Sequence, residues 1–86
     1  MSKPKIIAWI KPYCPWCQGL VAMFKKHGLA FEARDVIGDQ RHLDEMVRVT
    51  KQSKAPCVDI DGNLLVDTSG DEAEAWMKEH GYLKAS

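Results

Sequence analysis

The stretch Lys5–Gly28, KIIAWIKPYCPWCQGLVAMFKKHG, decides the fold. Ile6-Ile7-Ala8-Trp9-Ile10 is apolar on both alternating faces, the pattern of a short strand buried on both sides near the middle of a sheet. Lys11-Pro12-Tyr13 ends it. A helix is predicted from Pro15 to His27. Proline suits the first helical position, where its missing N–H costs nothing. Leu20, Val21 and Phe24 then give one apolar face, with Cys17 one turn earlier, and Gly28 closes the helix as a left-handed cap. Cys14 and Cys17 therefore fall at a strand–helix junction.

Working outward, Phe31–Val36 alternates, with Phe31 and Ala33 on one face and Glu32 and Arg34 on the other, as in a strand nearer a sheet edge. Gly38-Asp39 breaks it, and Asp39 caps a second helix that runs to Lys51, with Leu43, Met46, Val47 and Thr50 as its stripe. Lys51–Lys54 is loop. Pro56 precedes a strand over Cys57–Ile60, Asp61-Gly62 is a strong hairpin signal, and Leu64–Val66 returns antiparallel. Thr68-Ser69-Gly70-Asp71 starts a third helix, with Ala73, Trp76, Met77 and His80 as its buried stripe and Gly81 at its end. The order is β-α-β-α-β-β-α. A helix joins the first two strands, so they should be parallel through a right-handed crossover. The expectation is an α/β fold: one domain over residues 1–86, with a four-stranded mixed sheet flanked by three helices on both faces.

Composition narrows the function. The 86 residues carry 12 Lys+Arg and 12 Asp+Glu, a formal net charge of zero, which disfavours general nucleic-acid binding. The charge is unevenly spread. Residues 1–30 hold Lys3, Lys5, Lys11, Lys25 and Lys26 and no acid, whereas residues 59–86 hold seven acids against Lys78 and Lys84. The longest apolar run, Ile6–Ile10, falls far below the roughly 18 residues needed to cross a bilayer and is too short for a signal-peptide core. No membrane partner is expected, and the expected compartment is the reducing cytoplasm. There an odd count of three cysteines points to catalysis, metal binding or simple burial rather than a disulfide framework.

The Cys14-Pro15-Trp16-Cys17 spacing selects among these. Two intervening residues bring the sulfurs within reach of a disulfide. Cys14 at the helix N-terminus faces unpaired N–H groups and the positive end of the dipole, which stabilise a thiolate, the attacking species. Lys11 adds positive charge. Cys14 is the expected exposed nucleophile and Cys17 the less exposed resolving thiol. Pro15 removes one N–H that could have bonded to the thiolate, and Trp16 supplies an apolar rim for substrate. A zinc site would need four ligands; Cys57, His27, His42 and His80 are not at metal-motif spacing, so no metal is expected.

Lys11-Pro12-Tyr13-Cys14-Pro15-Trp16-Cys17, followed by Ala55-Pro56 and Asp61-Gly62, resembles a dithiol glutaredoxin of the thioredoxin-like superfamily, in length and element order over nearly the whole chain. The resemblance implies a thioredoxin-like fold and glutathione-dependent reduction of protein disulfides and glutathione mixed disulfides. Glutathione is then electron donor and partner, with no bound cofactor, and the chain acts as a monomer on disulfide-containing or glutathionylated proteins. It also implies roles. Lys11 meets the glycine carboxylate of glutathione, Tyr13 lines the groove, and Gln52 is a polar side chain that also reaches that carboxylate. Ala55 pairs through its backbone with the cysteinyl part, Pro56 is the cis-proline, and Thr68 and Ser69 meet the γ-glutamyl end. The family's usual Thr-Val-Pro is here Lys54-Ala55-Pro56, and its Gly-Gly pair is Val66-Asp67. Asp67-Thr68 is similar to an acid–hydroxyl pair of glutathione transferases. Two rival readings stay open: a small redoxin reduced by thioredoxin reductase, and an iron–sulfur cluster binding protein, against which the stiffening Pro15 speaks.

The remaining residues carry two readings each. Cys57 is either a buried small hydrophobe or a third redox thiol beside the pair. Asp59, two residues on, is either a carboxylate near the site or a surface acid paired with a lysine. His27 and His80 end helices, where they suit the dipole, and His42 is expected in solvent. Trp9 and Trp76 are expected to pack. Asp71, Glu72, Glu74 and Glu79 are expected to form a solvated face, with Glu74 and Lys78 as a weak pair.

Overall fold

The structure, a computed structural model, describes residues 4–83; Lys3 and Lys84, counted in the charge sums, lie outside them. The elements are β1 (Ile6–Ile10), α1 (Pro15–Lys26), β2 (Glu32–Asp35), α2 (Gln40–Thr50), β3 (Cys57–Ile60), β4 (Asn63–Leu65) and α3 (Gly70–Glu79). The sheet order is β2-β1-β3-β4, with β1 parallel to β2 and the other pairs antiparallel. This is the four-stranded mixed sheet that the element order implied and the thioredoxin-like arrangement that the resemblance implied.

β1 is central, and its alternation feeds two cores. Ile6 and Ala8 pack with Leu20, Met23 and Phe24 of α1, Val58 and Ile60 of β3, and Ala73 and Met77 of α3. Trp9 faces the other way, onto Val36, Met46 and Cys57 under α2. A strand apolar on both faces is what a sheet covered on both sides requires. The Trp9 indole N–H donates to Glu45 Oε1 at 2.8 Å, and Glu45 also pairs with Arg34 of edge strand β2.

Local signals fix the element ends. Asp39 accepts from the Arg41 N–H, and Ser69 Oγ accepts from the Glu72 N–H, capping α2 and α3. At the hairpin Asp61 (φ 52°) and Gly62 (φ 90°) both take positive φ, the backbone of a two-residue turn that follows sheet twist.

Several expectations are corrected. Glu74 is not part of a solvated face. It is half-buried between α1 and α3, 2.6 Å from His27 Nε2, with Lys26 and Lys78 nearby, and the His27 contact leads the forces holding its pKa down. His80 is exposed rather than in the buried stripe, because α3 ends at Glu79; its ring stacks on Trp76 at 4.1 Å. Val47 is 39% exposed, off the α2 stripe that Met46 anchors. His42 is half-buried, its Nδ1 3.1 Å from the Asp35 carbonyl. The Asp59 Oδ1 accepts the Gly62 N–H at 2.6 Å and closes the hairpin.

α1 and α3 touch through two glycines. A Cβ on Gly70 would sit 2.6 Å from the Gly19 carbonyl oxygen, whereas a Cβ on Gly19 would meet nothing within 4 Å. Gly70→Ala should therefore cost about 1–3 kcal/mol by overpacking. Gly19→Ala, inside α1 with open space, should add up to about 1 kcal/mol. Opposite shifts of the urea midpoint in the two variants are the expected outcome.

Candidate redox site

The site is built from the first turn of α1. Cys14 is its N-cap, with extended backbone (φ −91°, ψ 121°), and Pro15 is the first helical residue. The Cys14 N–H donates to the Lys11 carbonyl at 3.2 Å and its own carbonyl accepts from Gln18 N–H at 3.0 Å. The Gln18 side chain reaches back to the Pro12 carbonyl at 3.2 Å. These bonds fix the Lys11–Cys14 turn against the helix that follows. No side chain caps this end of α1, and the cysteine sulfur stands where a capping oxygen would.

The two sulfurs occupy opposite environments. Cys14 is partly exposed and Cys17 only 1% exposed. Partial burial pushes the Cys14 pKa up. The Cys17 N–H, the Cys17 thiol and the Trp16 N–H, with the Lys11 charge, outweigh that and bring it below the ordinary 9.0. The N–H absent at Pro15 is thus replaced by the next two. Cys17 is pushed up to about 11, first by burial and then by the neighbouring Cys14, against the Lys11 N–H that donates to its Sγ at 3.3 Å. One sulfur is set up to be a thiolate and the other a thiol.

Two recesses lie on this side of the molecule, one lined by Trp16 and the other by Cys14. One, of about 180 Å³, is lined by Trp16, Pro56, Asp67, Thr68, Ser69 and Glu72. The other, about 310 Å³ and almost wholly apolar, is lined by Lys11, Pro12, Tyr13, Cys14 and Ile37. Tyr13 is 91% exposed and Trp16 67%. The Ala55–Pro56 bond is cis, and the Pro56 carbonyl accepts the Thr68 N–H at 2.9 Å, which joins the segment before α3 to the segment before β3. Asp67 sits at φ 52°, a left-handed conformation that Asp tolerates better than most residues.

The residues singled out from the sequence thus fall into three groups. Lys11, Tyr13 and Cys14 share one recess; Pro56, Thr68 and Ser69 share the other, with the Ser69 hydroxyl already engaged in capping α3. The third group faces inward. The Gln52 amide is bonded to the Lys54 backbone, and Cys57 is 0% exposed with its thiol donating to the Lys54 carbonyl at 3.1 Å. Burial leads the forces that push the Cys57 pKa up. Sequence reasoning missed Ile37, which stands 64% exposed beside the nucleophile. Ile37 lies in the turn between β2 and α2, where strand alternation gives no signal for it. Among the described residues, no group of three or more His, Cys, Asp or Glu is placed to hold a metal ion, and no helix is long and apolar enough to cross a membrane.

A CxxC pair opening the helix after the central strand, with a cis-proline at the same end of the sheet, defines a thioredoxin-like redox protein. Within that class, residues 6–65 match the family model described as Glutaredoxin, and the chain belongs to the glutaredoxin family. A curated relative, the uncharacterized glutaredoxin-like 8.6 kDa protein in the rubredoxin operon of Clostridium pasteurianum, is 36% identical over 55 residues, 64% of this chain and 73% of that protein. Among solved structures, a thioredoxin-like protein superposes with a TM-score of 0.74 at 24% identity, over 83% of this chain and 96% of its own. The glutaredoxin of Brucella melitensis gives 0.68 at 21%, over 94% and 85%. At such identities these two carry the fold alone.

The contrast in exposure and pKa predicts selective labelling. A brief iodoacetamide pulse on the reduced native protein near neutral pH should place one carbamidomethyl group on Cys14. Cys17 and Cys57 should be modified only after denaturation, as read by peptide mass spectrometry.

Proposed function

We propose that this protein is a glutathione-dependent thiol–disulfide oxidoreductase that reduces glutathione mixed disulfides and protein disulfides through Cys14 and Cys17. The observation that carries the reading is the split between the two sulfurs, Cys14 below and Cys17 well above the ordinary thiol value. The Cys14 thiolate attacks one sulfur of the substrate disulfide; a Cys14–substrate disulfide forms and the other sulfur leaves as a thiolate that takes a proton from solvent. In that intermediate Cys14 carries no charge. The Cys14 contribution that held Cys17 up is gone, while the Lys11 N–H and charge still favour its thiolate. Cys17 then loses its proton and attacks the Cys14 sulfur, releasing the second substrate thiolate. The remaining Cys14–Cys17 disulfide is reduced by two glutathiones, which become glutathione disulfide. With a glutathionylated substrate, a second glutathione can take the place of Cys17.

The groove would hold glutathione between the two recesses. Lys11 offers a cation to the glycine carboxylate, Tyr13 a wall, Ala55 and Pro56 the backbone edge, and Thr68 and Ser69 the polar start of α3, where the helix N-terminus favours a carboxylate. Asp67 and Glu72 supply negative charge for an ammonium. The exposed Tyr13 and Ile37 give an apolar contact beside Cys14 for side chains next to the attacked cysteine of a protein substrate. The reading calls for a compartment that keeps glutathione reduced.

The test uses a glutathionylated peptide with glutathione as reductant. Cys14→Ser should abolish turnover and Cys17→Ser should retain it; equal loss in both would remove the one-cysteine route. The attack rate should rise with pH as the Cys14 thiolate forms and level off at a midpoint below 9, because the lowered pKa shifts ionisation to lower pH. Lys11→Met should raise KM about two- to fivefold, the scale of one exposed charge pair.

A further inference from the structure

We infer that Gln52 and Cys57 form a clamp that positions the Lys54–Ala55–Pro56 backbone for substrate, so that neither touches substrate itself. The inference rests on the glutathione reading above and assigns these two residues a role within it.

The Gln52 amide is paired with both backbone groups of Lys54. Its Oε1 accepts the Lys54 N–H at 2.6 Å, and its Nε2 donates to the Lys54 carbonyl at 2.9 Å. A backbone N–H only donates and a carbonyl only accepts, so this arrangement fixes which end of the amide is which. Nε2 also lies 3.2 Å from Cys57 Sγ and 3.2 Å from Thr50 Oγ1. The Cys57 thiol donates to the same Lys54 carbonyl at 3.1 Å. Lys54 is therefore held at N–H and C=O by one side chain and again at C=O by a second. That second side chain is fully enclosed, at 0% exposure.

Two residues further on, the chain is fixed a second time, where the Pro56 carbonyl accepts the Thr68 N–H at 2.9 Å. Ala55 lies between these two anchors, and Pro56 lines the recess beside Trp16. An amide already paired with backbone has little left for a ligand carboxylate. A sulfur with no exposed surface cannot reach a substrate disulfide without local opening. Both act on the groove through the backbone, by holding it in the bound conformation before binding, which lowers the ordering cost of association.

Three variants of the full chain, assayed on the glutathionylated peptide, separate this from a direct contact. Cys57→Val removes the sulfur's hydrogen bonds at similar size and should raise KM about fivefold, the effect of one lost hydrogen bond of about 1 kcal/mol, with kcat within about twofold. Cys57→Ser keeps a donor and an acceptor and should restore much of that loss. Gln52→Arg cannot form the two-point pair and should raise KM, whereas a residue that contacts the ligand carboxylate would lower KM when given a full charge. A Gln52→Arg variant with lower KM, or a Cys57→Val variant with unchanged KM, would overturn the clamp. Hydrogen exchange on the wild-type protein gives an independent arm that needs no variant to fold. The Lys54 amide, in an exposed loop, should exchange slowly, and exchange at the open-chain rate would overturn the clamp. If the wild type fails to turn over the glutathionylated peptide, the glutathione reading falls, while the exchange arm still judges the clamp.

Discussion

The rest of the site depends on where α1 begins. Pro15 occupies the first helical position, so the helix starts one residue after Cys14, and the first-turn N–H groups of Trp16 and Cys17 help hold the Cys14 pKa down. A helix starting a turn later would leave that sulfur in a loop; one starting a turn earlier would bond those donors to carbonyls. The same turn carries Cys17 under the chain, where the Lys11 N–H and the core enclose it. One constraint on backbone register thus sets both halves of the thiolate–thiol contrast.

The rest of the fold brings a second segment up to that turn. β1 delivers the Lys11–Cys14 turn at the end of the central strand, and its neighbour β3 begins at Cys57, in register with Trp9. The cis Ala55–Pro56 segment therefore lies at the same end of the sheet as the cysteine pair. The Thr68–Pro56 hydrogen bond then ties in the start of α3, and the close approach of Gly70 to Gly19 lets α3 pack against α1 beside Trp16. Glu74 and His27 bridge the same two helices near the far end of α1. The groove is thus a by-product of how four elements meet, with no long loop to build it.

Much of this was legible in the sequence because the decisive residues act locally. Pro15, Gly28, Asp39, Asp61-Gly62 and Ser69 each dictate a backbone conformation through their own chemistry, and each marks an element end within a residue or two. The apolar run of β1 signalled a sheet covered on both sides because burial on two faces leaves no polar alternation. What was not legible depends on distance in sequence or on loop shape. Glu74 reads as one acid in an acidic run until His27, 47 residues away, is placed against it. Nothing in the sequence around Gln52 signals its pairing with the Lys54 backbone. Its inward turn follows from Lys51, which takes φ 64° at the end of α2 and folds the chain back so that the amide meets Lys54. His80 kept the helical spacing of a buried stripe, yet the helix stops before it, and periodicity carries no information past a helix end. Ile37 was passed over because an exposed apolar residue is unremarkable until its neighbour is a nucleophile.

The fold shifts the pKa values of two cysteines three residues apart in opposite directions. The decisive experiment follows the Cβ chemical shifts of selectively ¹³C-labelled cysteines through a pH titration of the reduced protein. The Cys14 midpoint should lie below the ordinary 9.0 and the Cys17 midpoint well above it, near 11. A Cys14 midpoint at or above that of Cys17 would contradict it.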